Sequence, residues 1–402
     1  MTIKEIKNFA VLINNKQLEN ISYEEIIGEF WTSKQRQGHS LHEISYRACF
    51  KSELPNYFIK RFTQENDLVY DPFMGRGTTI LESNLMGRIG IGNDINPLSK
   101  ILLEPRLSPP CFTDIRLRLN EIKFRYDKKA DIDLSMFYHS KTESEIVSLK
   151  DYFIEKESNN ELDFFDKWIR MVATNRLTGH SKGFFSVYTL PPNQAVSPQR
   201  QREINKKRNQ TPEYKNIKEI ILKKTQDLLK KTTLFDFKNL REKYFKSILL
   251  NNDARFTSCI QNESIKLIVT SPPFLSIVQY AKDNWLRCWF NGINIDKIEK
   301  EIFVTSSLEK WKKFMYEVFI ELYRVLRNDG IIAFEVGEVK NGTIKLEEEL
   351  IPIVIEIGFN IECILINEQN FTKTSNIWGI KNNKKGTNSN RILILTKGEK
   401  NV

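Results

Sequence analysis

The chain has 402 residues, 40% of them hydrophobic, which is length for two or three domains and material for a real core. Lys and Arg outnumber Asp and Glu by 61 to 51, and the net charge of +10 suits a polyanionic partner. The first residues hold no apolar core of signal-peptide length, and nowhere do about eighteen apolar residues run together, so a cytoplasmic protein is expected.

Five cysteines, Cys49, Cys111, Cys259, Cys288 and Cys363, are scattered without a C-x-x-C pair, and His39, His42, His139 and His180 do not join them at metal-ligand spacing. Reduced thiols and no metal are expected.

In chain order, the first clear pattern is the apolar Leu68-Val69-Tyr70, followed by Asp71-Pro72-Phe73-Met74-Gly75-Arg76-Gly77-Thr78-Thr79 and a helix-like run from Ile80 to Leu85. This reads as strand, glycine turn and helix; Gly75 and Gly77 permit positive φ, and the exposed N–H groups of the helix start can hold an anion. A second strand, Ile89 to Gly92, ends in Asn93 and Asp94, where an acid can accept hydrogen bonds from ribose hydroxyls. The two together imply a nucleoside-bearing cofactor. A capping carboxylate is the alternative reading of Asp94 and, later, of Asp253.

The next strand candidate, Lys246 to Asp253, comes about 150 residues further on, far beyond ordinary loop length. The intervening residues 106–245 are mostly helical in pattern, with apolar i, i+3, i+4 spacing in Glu145–Leu149 and Phe164–Met171. Within them, Arg200 to Lys246 holds fifteen Lys or Arg against six Asp or Glu, nearly the whole excess of the chain. The stretch with Arg200, Arg202, Lys206, Lys207 and Arg208 reads as a strand or loop lying along phosphates, or else as a solvated helix face. Leu107-Ser108-Pro109-Pro110-Cys111-Phe112 lacks a preceding buried strand, so Cys111 reads as part of a linker into the insert rather than as a nucleophile.

A short helix is expected over residues 254–262, then the buried strand Ile265 to Thr270, broken by Ser271-Pro272-Pro273-Phe274. In an open α/β sheet, ligands bind beyond the carboxyl ends of the strands. There Phe274 offers a face for stacking, and Ser271 Oγ and the Pro272 carbonyl offer acceptors for an exocyclic amino group. An ordinary strand-to-loop turn is the plain alternative. Just downstream, Asn284, Arg287 and Trp289 follow the site closely enough to reach a polyanionic partner, with core packing the alternative for the Trp residues. A helix from Leu308 to Arg327, a strand from Gly330 to Val336, a helix from Glu347 to Ile357 and strands at Asn360–Ile366 and Arg391–Leu395 complete the series.

Together these motifs resemble the amino-methylating DNA methyltransferases, whose glycine loop has the form D-P-F-x-G-x-G-T-T and whose tetrapeptide is S-P-P-F/Y or D-P-P-Y; the resemblance covers most of residues 39–398. It implies an α/β, Rossmann-like seven-stranded methyltransferase sheet with a large, mainly helical insert. Residues 1–105 and 246–402 would form the two parts of the core, and 106–245 an inserted target-recognition domain. It implies S-adenosylmethionine as cofactor, held by Tyr46 and Phe50 upstream of the loop, by Asp71, Pro72, Phe73, Gly75, Gly77, Thr78 and Thr79 within it, and by Asp94, Asp253 and Thr270. Asp253 would accept from the adenine amino group.

The S-P-P form goes with cytosine N4, and D-P-P-Y mostly with adenine N6. The glycine loop precedes the tetrapeptide, a circular permutation of many S-P-P relatives, and Arg76 stands where many carry a small residue. The implied partners are double-stranded DNA and a cognate restriction endonuclease acting on the same site. An RNA amino-methyltransferase and a non-catalytic DNA-binding module are the other readings.

Overall fold

The computed structural model describes residues 3–31, 38–190, 195–273, 275, 280–336, 338–339, 344–368 and 389–398. Its main sheet has nine strands among these residues: β1 (Leu12–Leu18), β2 (Ile21–Gly28), β3 (Leu68–Asp71), β4 (Ile89–Asn93), β5 (Ile248–Leu250), β6 (Ile265–Thr270), β7 (Leu326–Val336), β8 (Phe359–Glu368) and β9 (Ser389–Lys397). They lie in the order β1-β2-β8-β9-β7-β6-β3-β4-β5. From β7 to β5 all neighbours run parallel, while β9 is antiparallel to both β7 and β8.

Seven of these strands, from β8 to β5, form the expected α/β sheet with its antiparallel final hairpin. Two more extend it, because β2 adds parallel to β8 and pairs antiparallel with β1. The hairpin escapes a periodicity reading, since Asn14, Asn15, Lys16 and Gln17 break the apolar alternation of β1. It is held from within by Arg391 of β9, whose guanidinium donates to Glu25 of β2 at 2.8 Å and also reaches Glu347.

Two helices, α1 (Glu53–Phe62) and α2 (Thr78–Leu85), follow the N-terminal strands. Leu54, Phe58 and Ile59 of α1 share one buried cluster with Val69, Leu267, Val269 and Ala333, which defines one face of the sheet. Alternate residues, Ile268, Ile332 and Phe334, point the other way, into a cluster with Val318, Phe319 and Leu350 from later in the chain. A fully covered parallel sheet is the physical reason its strands are nearly continuous in Ile, Leu and Val.

The insert is helical: α3 (Pro97–Leu107), α4 (Phe112–Glu121), α5 (Ser140–Ser158), α6 (Phe164–Arg176), α7 (Pro198–Arg208), α8 (Ile217–Leu229) and α9 (Leu234–Tyr244) stand between β4 and β5. One hydrophobic cluster runs from Met74, Ile80 and Leu81 of the glycine loop and α2 through Leu102 to Trp168, Ile221 and Leu240 of the insert. The insert therefore shares its core with the sheet's flank.

Beyond β6 come α10 (Trp285–Phe290), α11 (Ile295–Glu301), α12 (Leu308–Val325) and α13 (Leu346–Ile357). The expected helix over residues 254–262 is instead a series of turns, tied down where Glu321 accepts from the Thr257 backbone and hydroxyl at 2.8 and 2.5 Å. Among the described residues no helix is long and apolar enough to cross a membrane, and no group of three or more His, Cys, Asp or Glu is arranged to hold a metal ion.

Candidate active site

A cavity of about 340 Å³ opens at the carboxyl ends of β3, β4, β5 and β6. Its lining contains Tyr46, Phe50, Asp71, Pro72, Phe73, Gly75, Thr78, Asp94, Asp253, Ser271 and Pro273. The glycine loop, the two strand-end acids and the start of the tetrapeptide thus meet around one space, although up to 200 residues separate them in the chain.

The glycine loop owes its shape to backbone that only glycine adopts freely. Gly75 and Gly77 have φ of 51° and 76°. A Cβ on Gly75 would stand 3.2 Å from Cys49 Sγ, and one on Gly77 would run into Leu103 of α3. The Gly75 N–H donates to Asp94 Oδ2 at 2.9 Å, while Asp94 Oδ1 accepts from Asn96 N at 2.8 Å. Burial pushes the Asp94 carboxyl up, and these two N–H groups pull it back.

Asp71 and Thr270 join the loop to the tetrapeptide strand. Thr270 Oγ1 donates to Asp71 Oδ1 at 2.6 Å, and Thr79 Oγ1 donates to the Val269 carbonyl at 3.1 Å. Asp71 is 1% exposed, and burial raises its carboxyl to about 7 against the hydrogen bonds of Thr270 and Phe73 N. Gly77, Thr79 and Thr270 are therefore structural neighbours of the cavity, not part of its lining. Pro272 is buried just behind it. The Pro273 carbonyl accepts from Trp311 Nε1 at 2.9 Å, which anchors the exit of the tetrapeptide to α12. Phe274 lies outside the described residues.

Arg76 turns out to be a clamp. Its guanidinium donates to the carbonyls of Ile44, Phe50 and His42 at 2.8, 3.2 and 3.3 Å, and its Nε donates to Thr78 Oγ1 at 3.1 Å. The segment bearing Tyr46 and Phe50 is thereby fixed against the loop, as only a long multi-donor side chain can do.

Asp253 is held by Arg255, whose Nε and Nη2 reach its two carboxylate oxygens at 3.0 and 2.7 Å; a third bond joins Arg255 to Glu317 at 2.6 Å. The pairing keeps the Asp253 carboxyl below its usual range even though burial opposes this.

Several lining residues carry no sequence signal. Phe303 stacks on Phe314 with ring centroids 4.1 Å apart, and Phe73 stands 6.4 Å from Phe314, making an aromatic wall from the glycine loop and the region of α12. Glu335 is another. It is on β7, one position beyond the rung that pairs Phe334 with Thr270, so it stands beside Ser271 at the sheet's end. Asn390 donates to it, and burial raises its carboxyl to about 7.

The residues expected to contact DNA divide in two. Arg200, Arg202, Lys206, Lys207 and Arg208 are exposed, but on a regular helix, α7, not on a strand or loop. Ser197 caps it by accepting from Arg200 N at 3.2 Å, Pro198 opens it, and Asn209 at φ 47° closes it, so terminal signals outweigh the missing apolar face. Gln201 and Asn205 hold the helix down through the Tyr188 and Met136 carbonyls. Arg287 is buried rather than exposed, at 5%, donating to Asn284 at 3.1 Å. Trp289 Nε1 bonds Asp131 at 2.6 Å, which supports a packing role. Cys111 is exposed at the start of α4 and does not line the cavity.

The N6/N4 DNA methylase family matches the chain over residues 4–100 and 265–402, more than half of its length, interrupted across the helical insert. The chain is similar to the Type II methyltransferase M.BsoBI of Geobacillus stearothermophilus, 24% identical over 326 residues, covering 71% of this chain and 61% of that protein. It is also similar to the Type II methyltransferase M.MjaII of Methanocaldococcus jannaschii, 23% identical over 407 residues, covering 77% and 74%. The match thus spans less than two thirds of the first relative's length. S-adenosylmethionine is the cofactor that goes with this family, and the cavity's chemistry fits it: carboxylates for hydroxyl and amino donors, and aromatic rings for a purine face. The chain belongs to the DNA methylase family of N6 and N4 methyltransferases.

Proposed function

We propose that the protein is a site-specific DNA methyltransferase that places a methyl group on the exocyclic N4 of a cytosine flipped out of the duplex. The observation that carries this reading is that Ser271 opens onto the same cavity as Gly75, Asp94 and Asp253. When bound, S-adenosylmethionine supplies an electrophilic methyl group on a sulfonium. Tyr46, Phe50, Pro72, Phe73, Gly75 and Thr78 would enclose it, Asp94 would accept from its ribose hydroxyls, and Asp253, oriented by Arg255, would accept from its adenine amino group.

The weak point of the chemistry is the amino nitrogen, whose lone pair is shared with the ring. Acceptors at Ser271 Oγ and the Pro272 carbonyl draw that nitrogen toward tetrahedral geometry, so that its lone pair is available for direct transfer. The nitrogen then loses a proton to solvent. Phe274 supplies the stacking face for the base, which must leave the helix because its amino group is engaged in pairing.

The insert, residues 106–245, acts as the target-recognition domain, and a cognate restriction endonuclease acts on the same site, in keeping with the Type II names of the relatives. A cytoplasmic setting goes with that substrate. Adenine N6 is the second reading, supported by a family that includes both bases.

Nucleoside mass spectrometry on unmethylated duplex DNA, incubated with the protein and S-adenosylmethionine, tests the proposal. N4-methylcytosine is expected. N6-methyladenine would change the base and keep the chemistry, and no methylated base would shift the reading to RNA or to a binder without activity.

A further inference from the structure

Helix α7 has a seated face and an outward one. Gln201 is buried and Ile204 and Asn205 partly so; Gln201 and Asn205 donate to the Tyr188 and Met136 carbonyls at 3.1 and 2.8 Å, and the Arg208 guanidinium lies 3.9 Å over the Tyr188 ring. At about 100° per residue, Gln199, Glu203 and Lys206 fall opposite that face, and all three are exposed. Arg202 flanks this ridge on one side and Arg200 and Lys207 flank it on the other, each of them also exposed. The outward side is therefore a ridge of one carboxamide, one acid and one amine, set between two rows of cations.

The ridge does not suit a helix that merely lies along phosphates. An acid at its centre repels them and a carboxamide adds no charge, yet both match base edges: a carboxylate accepts from the cytosine amino group, and Gln pairs with adenine through a donor and an acceptor together. Width agrees, since a helix with its side chains is about 10–12 Å across and the major groove about 12 Å wide, so a ridge meets the bases while flanking cations meet the two backbones. Arg200 donates to Glu203 at 2.7 Å and Arg202 to Asp133 at 2.7 Å, but exposed ion pairs of this kind exchange partners at little cost.

The start of α7 is tied to the cavity. Ala195 N donates to the Asp283 carbonyl at 3.1 Å and the Val196 carbonyl accepts from Trp285 Nε1 at 3.2 Å, just before Ser197 caps the helix. The Asp283 carboxylate in turn accepts from Arg47 Nη1 at 2.5 Å, and Arg47 lines the cavity. Gln199, in the first turn, is the ridge residue closest along the helix to that tie.

We propose that α7 is a recognition helix that lies in the major groove beside the target base, with Gln199, Glu203 and Lys206 reading base edges and Arg200, Arg202 and Lys207 holding the two backbones. The inference rests on the proposed action on DNA and adds which face of the insert sets the sequence preference.

The test uses the full chain and a library of short duplexes with a randomised centre, the retained fraction being sequenced. Gln199→Ala and Glu203→Ala preserve the fold, because both side chains are exposed and alanine favours helix. Each should lower discrimination about 10-fold at one or two adjacent positions of the preferred site and leave the other positions as they were. Lys207→Ala should instead weaken binding to every sequence alike and lower the slope of log K against log salt by about one. If both ridge variants keep the preferred site unblurred at every position, α7 meets only the backbone and the proposal fails; duplex retained by the unmodified chain without any preferred sequence overturns it too. Failure of the underlying reading looks different, because the unmodified chain would then retain no duplex at all, and the recognition helix falls with it.

Discussion

Glu335 shows how one residue can carry a cost that only its surroundings reveal. Its carboxyl, raised to about 7 by burial, binds its proton more tightly in the folded chain than in the unfolded one. That contribution to stability is fully present below the unfolded value near 4.5 and is lost as pH rises through about 7. At pH 8 the buried carboxylate costs about 3 kcal/mol, the shift converted at about 1.4 kcal/mol per pKa unit. Glu335→Gln keeps an oxygen for Asn390 to donate to and removes the titration. The variant should therefore match the unmodified chain in urea unfolding at pH 4 and exceed it at pH 8. A variant less stable at pH 8 would contradict this account.

At the scale of elements, the site depends on how firmly separate segments are tied together. The Thr270–Asp71 hydrogen bond joins β6 to β3, and the Pro273–Trp311 bond joins the tetrapeptide to α12. Arg76 is the least replaceable of these ties, because three carbonyls of the segment bearing Tyr46 and Phe50 converge on it. Arg76→Ala leaves those carbonyls without their donor, at about 1–3 kcal/mol for each one buried, and frees the segment. The expected outcome is a 10-fold or greater rise in KM for S-adenosylmethionine with a smaller change in kcat, read from initial rates. An unchanged KM would show that the segment holds its place without the clamp.

Across the whole molecule, charge is divided by place. The interior cations Arg106, Arg176 and Arg287 are buried among carbonyls and rings, whereas α7 presents its Lys and Arg to solvent. Neutralising Arg200, Arg202, Lys206, Lys207 and Arg208 together should weaken DNA binding and flatten its salt dependence by up to about 4.5 units if each meets a phosphate, and by less if Arg200 and Arg202 stay with Glu203 and Asp133, which pair them at 2.7 Å. Fluorescence anisotropy across a salt series measures it, and an unmoved slope would remove α7 from the interface. Melting temperature should barely change, since exposed ion pairs contribute about 0–1 kcal/mol.

What was legible in the sequence was local. Apolar runs ending in Asp71, Asp94 and Ser271 marked buried strands and their ligand-bearing ends, and Gly75 and Gly77 marked a turn, because strand burial and positive φ restrict residue type directly. The 150-residue gap between two strand candidates marked the insert for the same reason: loop length is limited. Other features depended on neighbours distant in the chain. At α7 the second of the two readings, a solvated helix face, matches the helix, which the sequence under-signals because it has no apolar stripe and is held through the Tyr188 and Met136 carbonyls. Arg287 reads from the sequence as a DNA contact because a guanidinium ordinarily faces solvent, yet it is 5% exposed in the fold. The Phe73–Phe314–Phe303 wall, the Arg76 clamp and the Glu335 carboxyl beside Ser271 arise from the packing of separate segments, and burial and partners, which set what a side chain can do, exist only once the chain has folded.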